Sequence, residues 1–183
     1  MSESQGPRAT PSPATGAAGG AAPAEAPITL HLQYIKDLSF EAPGAPRVFH
    51  LLQQNPPEIS VSIDVRAASL QPDVYEVVIR VHAECKAGDA VGFIVELVYG
   101  GTFTLKVPAE QLELVLLIEC PRLLFPFARY IIADVTRDGG FPPLLISPVD
   151  FVQMYRERKL AAQAQATQAA AETMPVSPAK SGS

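Results

Sequence analysis

The clearest order in the chain is a period of two. Ile59, Val61, Ile63 and Val65 alternate with Ser60, Ser62, Asp64 and Arg66. Tyr75, Val77, Ile79, Val81 and Ala83 alternate with Glu76, Val78, Arg80, His82 and Glu84. Successive side chains of a strand point to opposite faces, so each run predicts a strand with one buried face. Leu70–Asp73, with Pro72, predicts the turn between them, and Lys86–Ala90, with Gly88, predicts the next hairpin. A strand over about 91–99 carries Phe93, Val95, Leu97 and Tyr99 on one face. Its other face holds Ile94 and Val98 with Glu96 between them. Apolar residues on both faces place it in the centre of a sheet or under a second subunit. A first strand over 29–41 aligns Leu30, Leu32, Tyr34, Leu38 and Phe40, while Lys36 beside Ile35 breaks the phase and predicts a bulge. Hairpin-like links between these strands imply an antiparallel sheet.

After Gly100-Gly101 the pattern changes. Residues 109–119 read as a short helix that is apolar nearly all round from Leu114 to Ile118. A surface helix needs one apolar stripe, so a second apolar side predicts self-association. Pro121 and Pro126 bracket the start of a longer, separate helix ending near Thr136, because proline is tolerated only near a first turn. Gly139-Gly140 ends it. Phe141–Pro148 is an apolar, proline-rich crossover, and Ser147, Pro148 and Asp150 cap a last helix whose contact face is Phe151, Met154 and Tyr155. The elements make an α+β fold around a four-stranded antiparallel sheet.

Composition sets the limits of the folded part. Of residues 1–27, 22 are Ala, Gly, Pro, Ser or Thr. Such a segment buries too little apolar area to offset the entropy of ordering it, so 1–27 is expected to be a disordered tail. Residues 161–183 are Ala/Gln-rich and then Pro/Ser-rich, which predicts a helix extension followed by a flexible tail. The domain is therefore 28–160. Its 12 bases and 16 acids give a net charge of −4, against −5 for the whole chain. No cationic excess is present to neutralise phosphates, which excludes a generally basic nucleic-acid binder. Two cysteines do not staple a secreted scaffold. No apolar run approaches the ~18 residues that span a bilayer, and the first residues lack a basic start with an apolar stretch. A cytoplasmic protein is expected, without membrane insertion.

Catalytic signatures are missing. There is no phosphate-cradling or dinucleotide glycine motif and no nucleophile elbow. Cys85 and Cys120 stand 35 residues apart and read as structural thiols, and His31, His50 and His82 lack metal-ligand spacing. No cofactor, no metal and no enzyme activity are expected. The unusual material is apolar and broken by prolines. Phe103, Phe125, Phe127, Phe141, Leu144, Leu145 and Ile146 lie in or beside such segments. They either pack a core under a loop or line an apolar groove.

Six ordered blocks carry a family resemblance. They are Lys36-Asp-Leu-Ser-Phe-Glu-Ala-Pro-Gly-Ala-Pro46, Asp73-Val-Tyr-Glu-Val-Val-Ile-Arg-Val81, Phe93 to Gly101 ending Tyr-Gly-Gly, Cys120-Pro-Arg-Leu-Leu-Phe-Pro-Phe-Ala-Arg129, Gly140-Phe-Pro-Pro-Leu and Ser147-Pro-Val-Asp-Phe151. Together they cover nearly all of 28–157 and resemble SecB, the bacterial protein-export chaperone family. The resemblance implies helices on one face of the sheet and a homotetramer that is a dimer of dimers. Its all-apolar helix, with Leu112, Val115 and Leu116, would form the tetramer interface. It implies an ATP-independent chaperone that holds new preproteins unfolded and passes them to SecA, the motor ATPase of the inner-membrane translocase. Ile59, Val61 and Ile63 would line the client groove, and Leu144 and Ile146 on the crossover are further candidates. Asp37, Glu41 and Glu96, with Ile94 beside them, match the acidic SecA contact, whose partner is a basic, zinc-holding tail. The zinc would belong to SecA.

The chain also departs from the family pattern. Its N-terminal tail is longer, its final tail has only Glu172 as an acid, and Leu51-Leu52 stand where many relatives carry a tryptophan. A SecB-like chaperone dedicated to one client, such as an antitoxin, is the alternative. An enzyme with a sheet wrapped round a helix would instead need an acid or base placed in a pocket.

Overall fold

The computed structural model describes residues 26–172, so the predicted N-terminal tail and the end of the C-terminal one lie outside the described residues. Strands β1 (Ile28–Glu41), β2 (Glu58–Gln71), β3 (Val74–Ala87) and β4 (Ala90–Leu105) form one antiparallel sheet in the order β1-β4-β3-β2. Both predicted hairpins are present, and each turns on two residues. Asp73, after Pro72, and Gly88 take φ of 60°, a left-handed backbone that Asp and Gly tolerate at turns. The strand with two apolar faces, β4, is central, one of the two placements its pattern allowed.

That strand is longer than predicted. Gly100 and Gly101 lie inside β4 rather than ending it. A Cβ on Gly101 would stand 2.7 Å from Leu124 Cδ2 and 3.2 Å from the Leu32 carbonyl. The glycine is there so that a helix can lie close on the sheet, a recurrent use of glycine inside strands. On the opposite face, Gly100 makes room for the Tyr34 ring, 3.1 Å from where its Cβ would be.

The face assignment of β1 needs correction. Register shifts between Leu30/Leu32 and between Ile35/Asp37 mark two bulges, at His31 and Lys36. Only the second was predicted. Residues directly opposite each other share a face. Leu30 opposite Phe103, Ile35 opposite Tyr99, Leu38 opposite Leu97 and Phe40 opposite Val95 therefore face inward, toward the helices. Leu32 and Tyr34, opposite Thr102 and Gly100, face outward.

The helices differ more. A short helix α1 (Val48–Gln54), which the pattern did not predict, buries Val48. The two predicted helices of 109–136 are one continuous run. Helix α2 (Ala109–Leu114) passes through a π-helical segment (Val115–Glu119) into α3 (Cys120–Asp138). A proline ring crowds the carbonyl four residues before it. Just before Pro121 the helix widens instead of breaking, and the Cys120 N–H reaches back to the Val115 carbonyl. Pro126 sits inside α3. Phe125 and Phe127 thus belong to a long helix and Phe103 to a strand. The inner faces of β3 and β4 meet α3: Ile79, Leu97, Phe103, Leu124 and Ile132 are each at most 1% exposed. Full burial stabilises by ~1.5–3 kcal/mol per large apolar side chain, which outweighs the cost of prolines in the helix. Helix α4 (Phe151–Glu172) starts at Asp150, whose carboxylate accepts the backbone N–H groups of Val152 and Gln153, both at 3.0 Å.

Candidate functional site

Two surfaces carry chemistry, one on each side of the sheet. The inner one is an apolar cavity of about 390 Å³ at the β2 edge. Ile59 and Cys85, cross-strand neighbours on β2 and β3, form one wall with Phe93 of β4. Phe141, Pro142, Pro143, Leu144 and Leu145 of the crossover form another, and Leu52 and Pro57 close it. Its floor is a phenylalanine cluster. Phe141 lies 5.0 Å from Phe93 and 5.0 Å from Phe49, ring centre to ring centre, and Phe93 lies 5.9 Å from Phe40. Leu52 occupies this edge.

The crossover wall is held by a residue the sequence reading missed. Thr136 is wholly buried, and its hydroxyl donates to the Ile132 carbonyl at 2.9 Å and accepts the Leu144 N–H at 2.9 Å. The Phe141 N–H also donates to the Thr136 carbonyl at 3.1 Å. A proline-rich segment cannot pair in a sheet, so a buried hydroxyl supplies the partner its backbone needs.

The predicted groove residues separate. Ile59 and Leu144 share the cavity. Ile59 and Val61 are 48% and 40% exposed, so β2 presents its apolar row to solvent beside the cavity mouth. Ile63 lines a second hollow of about 400 Å³, with Leu117, Met154, Tyr155 and Arg158. Ile146 is 7% exposed and belongs to the core. Leu52, Pro57, Cys85 and Phe93 were not foreseen. Burial pushes the Cys85 thiol up, so it lines the cavity as a neutral, apolar group.

The outer face is polar and acidic. Its rows follow from register: Ser60–Glu84–Ile94–Glu41, then Ser62–His82–Glu96–Ser39, then Asp64–Arg80–Val98–Asp37. Asp37, Glu41, Ile94 and Glu96 are thus brought together in three adjacent rows, with Asp37, Glu41 and Glu96 exposed. His82 Nδ1 lies 3.1 Å from the Glu96 carboxylate, and His31 Nε2 meets Thr104 at 2.7 Å, so these two histidines do not meet.

The predicted interface helix is more buried than its pattern implied. Val115 is 8% exposed, and Leu112 and Leu116 pack against the core of their own protomer. The uncovered apolar stripe lies further on. Leu123, Phe127 and Tyr130 are 46%, 50% and 66% exposed at helical spacing, with Phe127 stacked 6.5 Å from Tyr99.

Among the described residues, no group of His, Cys, Asp and Glu is placed to hold a metal, and no helix is long and apolar enough to cross a membrane.

The family model for the preprotein translocase subunit SecB matches residues 21–163. The protein-export protein SecB of Paramagnetospirillum magneticum is 53% identical over 142 residues, covering 78% of this chain and 92% of its own. That of Acidiphilium cryptum is 51% identical over 150 residues, covering 73% and 90%. Among solved structures, a Mycobacterium tuberculosis SecB-like chaperone in complex with a ChAD peptide from an antitoxin shares the fold. Its TM-score is 0.57 at 12% identity, over 67% of this chain and 91% of that one.

Proposed function

The chain belongs to the SecB family of protein-export chaperones, a family of chaperones and not of enzymes, and from that membership we propose how its two surfaces divide the work. The inner cavity and the apolar row of β2 hold preproteins unfolded without ATP. The observation that carries this is the open apolar cavity in which Ile59 and Leu144 meet over a phenylalanine floor. Burial of apolar surface is non-directional, so such a cavity accepts many unfolded segments. A folded client hides them, and only slow folders are caught.

The outer face docks SecA through Asp37, Glu41, Ile94 and Glu96. An acidic patch facing a basic segment orients the encounter and speeds it. Cytoplasmic location follows from the task, since preproteins must be met before export.

The assembly is a homotetramer, a dimer of dimers, over the domain 28–160. Leu123, Phe127 and Tyr130 extend the interface proposed for Leu112, Val115 and Leu116. Leu123→Asp removes no core contact, because Leu123 is 46% exposed and outside the core cluster. It is expected to convert tetramers to dimers by light scattering with an unchanged circular dichroism spectrum. A mass still that of a tetramer sinks this interface.

The test of holding is the refolding of a slow-folding preprotein with and without the chain, in the absence of ATP. Arrest that saturates near one client per tetramer supports the reading. An intact tetramer without effect on refolding overturns it in favour of a chaperone dedicated to one client.

A further inference from the structure

We propose that Tyr34, Lys36 and Glu76 form a clip that decides which face of the sheet presents Asp37 and Glu41. The inference rests on the reading of the outer face as a docking surface and assigns it three positioning residues.

The clip spans three strands. The Lys36 ammonium donates to both Glu76 carboxylate oxygens, at 2.8 and 2.9 Å, and the Tyr34 hydroxyl donates to Oε1 of the same carboxylate. Tyr34 and Lys36 are on β1, Glu76 is on β3, and the Tyr34 ring crosses β4 at Gly100, where no side chain obstructs it. The Glu76 side chain is 16% exposed and the Lys36 side chain 51%, so a largely covered carboxylate anchors a half-exposed ammonium. The Lys36 and Tyr34 hydrogen bonds hold the Glu76 carboxyl below its usual range. Burial, then the bond to Glu76, pushes Tyr34 up to about 12. At neutral pH the clip is therefore a carboxylate with a cation and a neutral phenol.

Lys36 is also the extra residue of the second β1 bulge. Faces alternate along a strand, and a one-residue slip moves every later side chain to the other face. Ile35 faces inward, opposite Tyr99. In an unbulged strand residue 36 would face outward, and Asp37, Ser39 and Glu41 inward. The bulge puts Asp37 opposite Val98 and Glu41 opposite Ile94, outward, and returns Leu38 and Phe40 to the inner face, where Phe40 packs against the core and Leu38 stays exposed. A bulge leaves its extra residue without a ladder partner. Here that residue's side chain is anchored two strands away.

The test separates positioning from charge. Lys36→Met removes a cation from beside the acids, so electrostatics alone requires it to bind a basic partner more tightly. The clip requires the reverse: purified SecA is expected to bind the Lys36→Met tetramer ~3- to 10-fold more weakly, the size of coupling seen within a side-chain network. Lys36→Arg, which keeps a bidentate pair, restores it. Amide hydrogen exchange over residues 35–41 is expected to quicken at least ~10-fold in Lys36→Met and Glu76→Gln, as local opening becomes easier. If Asp37→Ala weakens SecA binding while Lys36→Met leaves it unchanged or tighter, the clip is overturned and the docking face stands. If Asp37→Ala has no effect, the docking face fails, and the exchange rates alone decide the clip: unchanged rates overturn it.

Discussion

Ile59→Asp combined with Leu145→Asp is expected to abolish client holding while leaving fold and assembly intact. Both residues line the cavity, and both are already exposed, at 48% and 66%. Ionised carboxylates at these positions therefore stay hydrated in the free chaperone and cost the fold little. The penalty falls on the complex. A bound apolar segment loses the burial of two large side chains, each worth ~1.5–3 kcal/mol, and must desolvate two charges. Holding by several weak sites amplifies the loss, because weakening each site multiplies through the effective concentration of the others. The concentration that half-arrests refolding is expected to rise at least ~100-fold, equivalent to about 2.7 kcal/mol. Ile59→Val with Leu145→Met keeps the apolar character and is expected to hold nearly as well. Unchanged arrest by the double-Asp variant, with its tetramer mass preserved, places client binding elsewhere.

The same cavity shows what the amino-acid order discloses. The alternation in β2 assigns Ile59, Val61 and Ile63 to one face, and that needs no tertiary information. Leu144 is placed beside Ile59 by a segment that is neither strand nor helix, so its position depends on Thr136, eight residues earlier. A threonine near a helix end has many ordinary uses, and nothing local marks this one. Leu52 and Phe93 reach the cavity because the strand order sets β4 beside β3 and α1 against both. That is a product of topology and not of periodicity.

The two bulges of β1 make the contrast sharper. At Lys36 a charge interrupts an apolar phase, so the slip is visible. At His31 the flanking Leu30 and Leu32 are both apolar, and the slip leaves no trace in hydropathy. Leu32 ends on the outer face at 58% exposure, where pattern alone had buried it. The helical run through Pro121 and Pro126 hid for the opposite reason. The local rule predicts a break, and packing overrules it: Leu124, Ala128 and Ile132, at helical spacing, are each fully buried.

Asp37→Ala with Glu96→Ala is expected to weaken SecA binding ~10- to 100-fold and to leave refolding arrest unchanged. On the proposed assignment the two activities lie on opposite faces of one sheet and are therefore separable. Glu96 is opposite His82 and Ser39 on the outer face, whereas Ile59 is opposite Cys85 on the inner. Both acids are exposed, so removing them leaves no buried partner unsatisfied and costs the fold little. Charge pairs across interfaces couple by ~1.5–7 kcal/mol when close, and an exposed rim places these at the lower end, near tenfold per pair. Because the attraction is long-ranged, wild-type binding is expected to weaken steeply with salt, where the Debye length is about 8 Å at physiological ionic strength. The double variant is expected to lose part of that salt dependence, which a merely misfolded variant would not do selectively. Titration calorimetry at two ionic strengths, beside the refolding assay on the same preparation, checks both arms. Joint loss of SecA binding and holding would mean that one surface serves both partners.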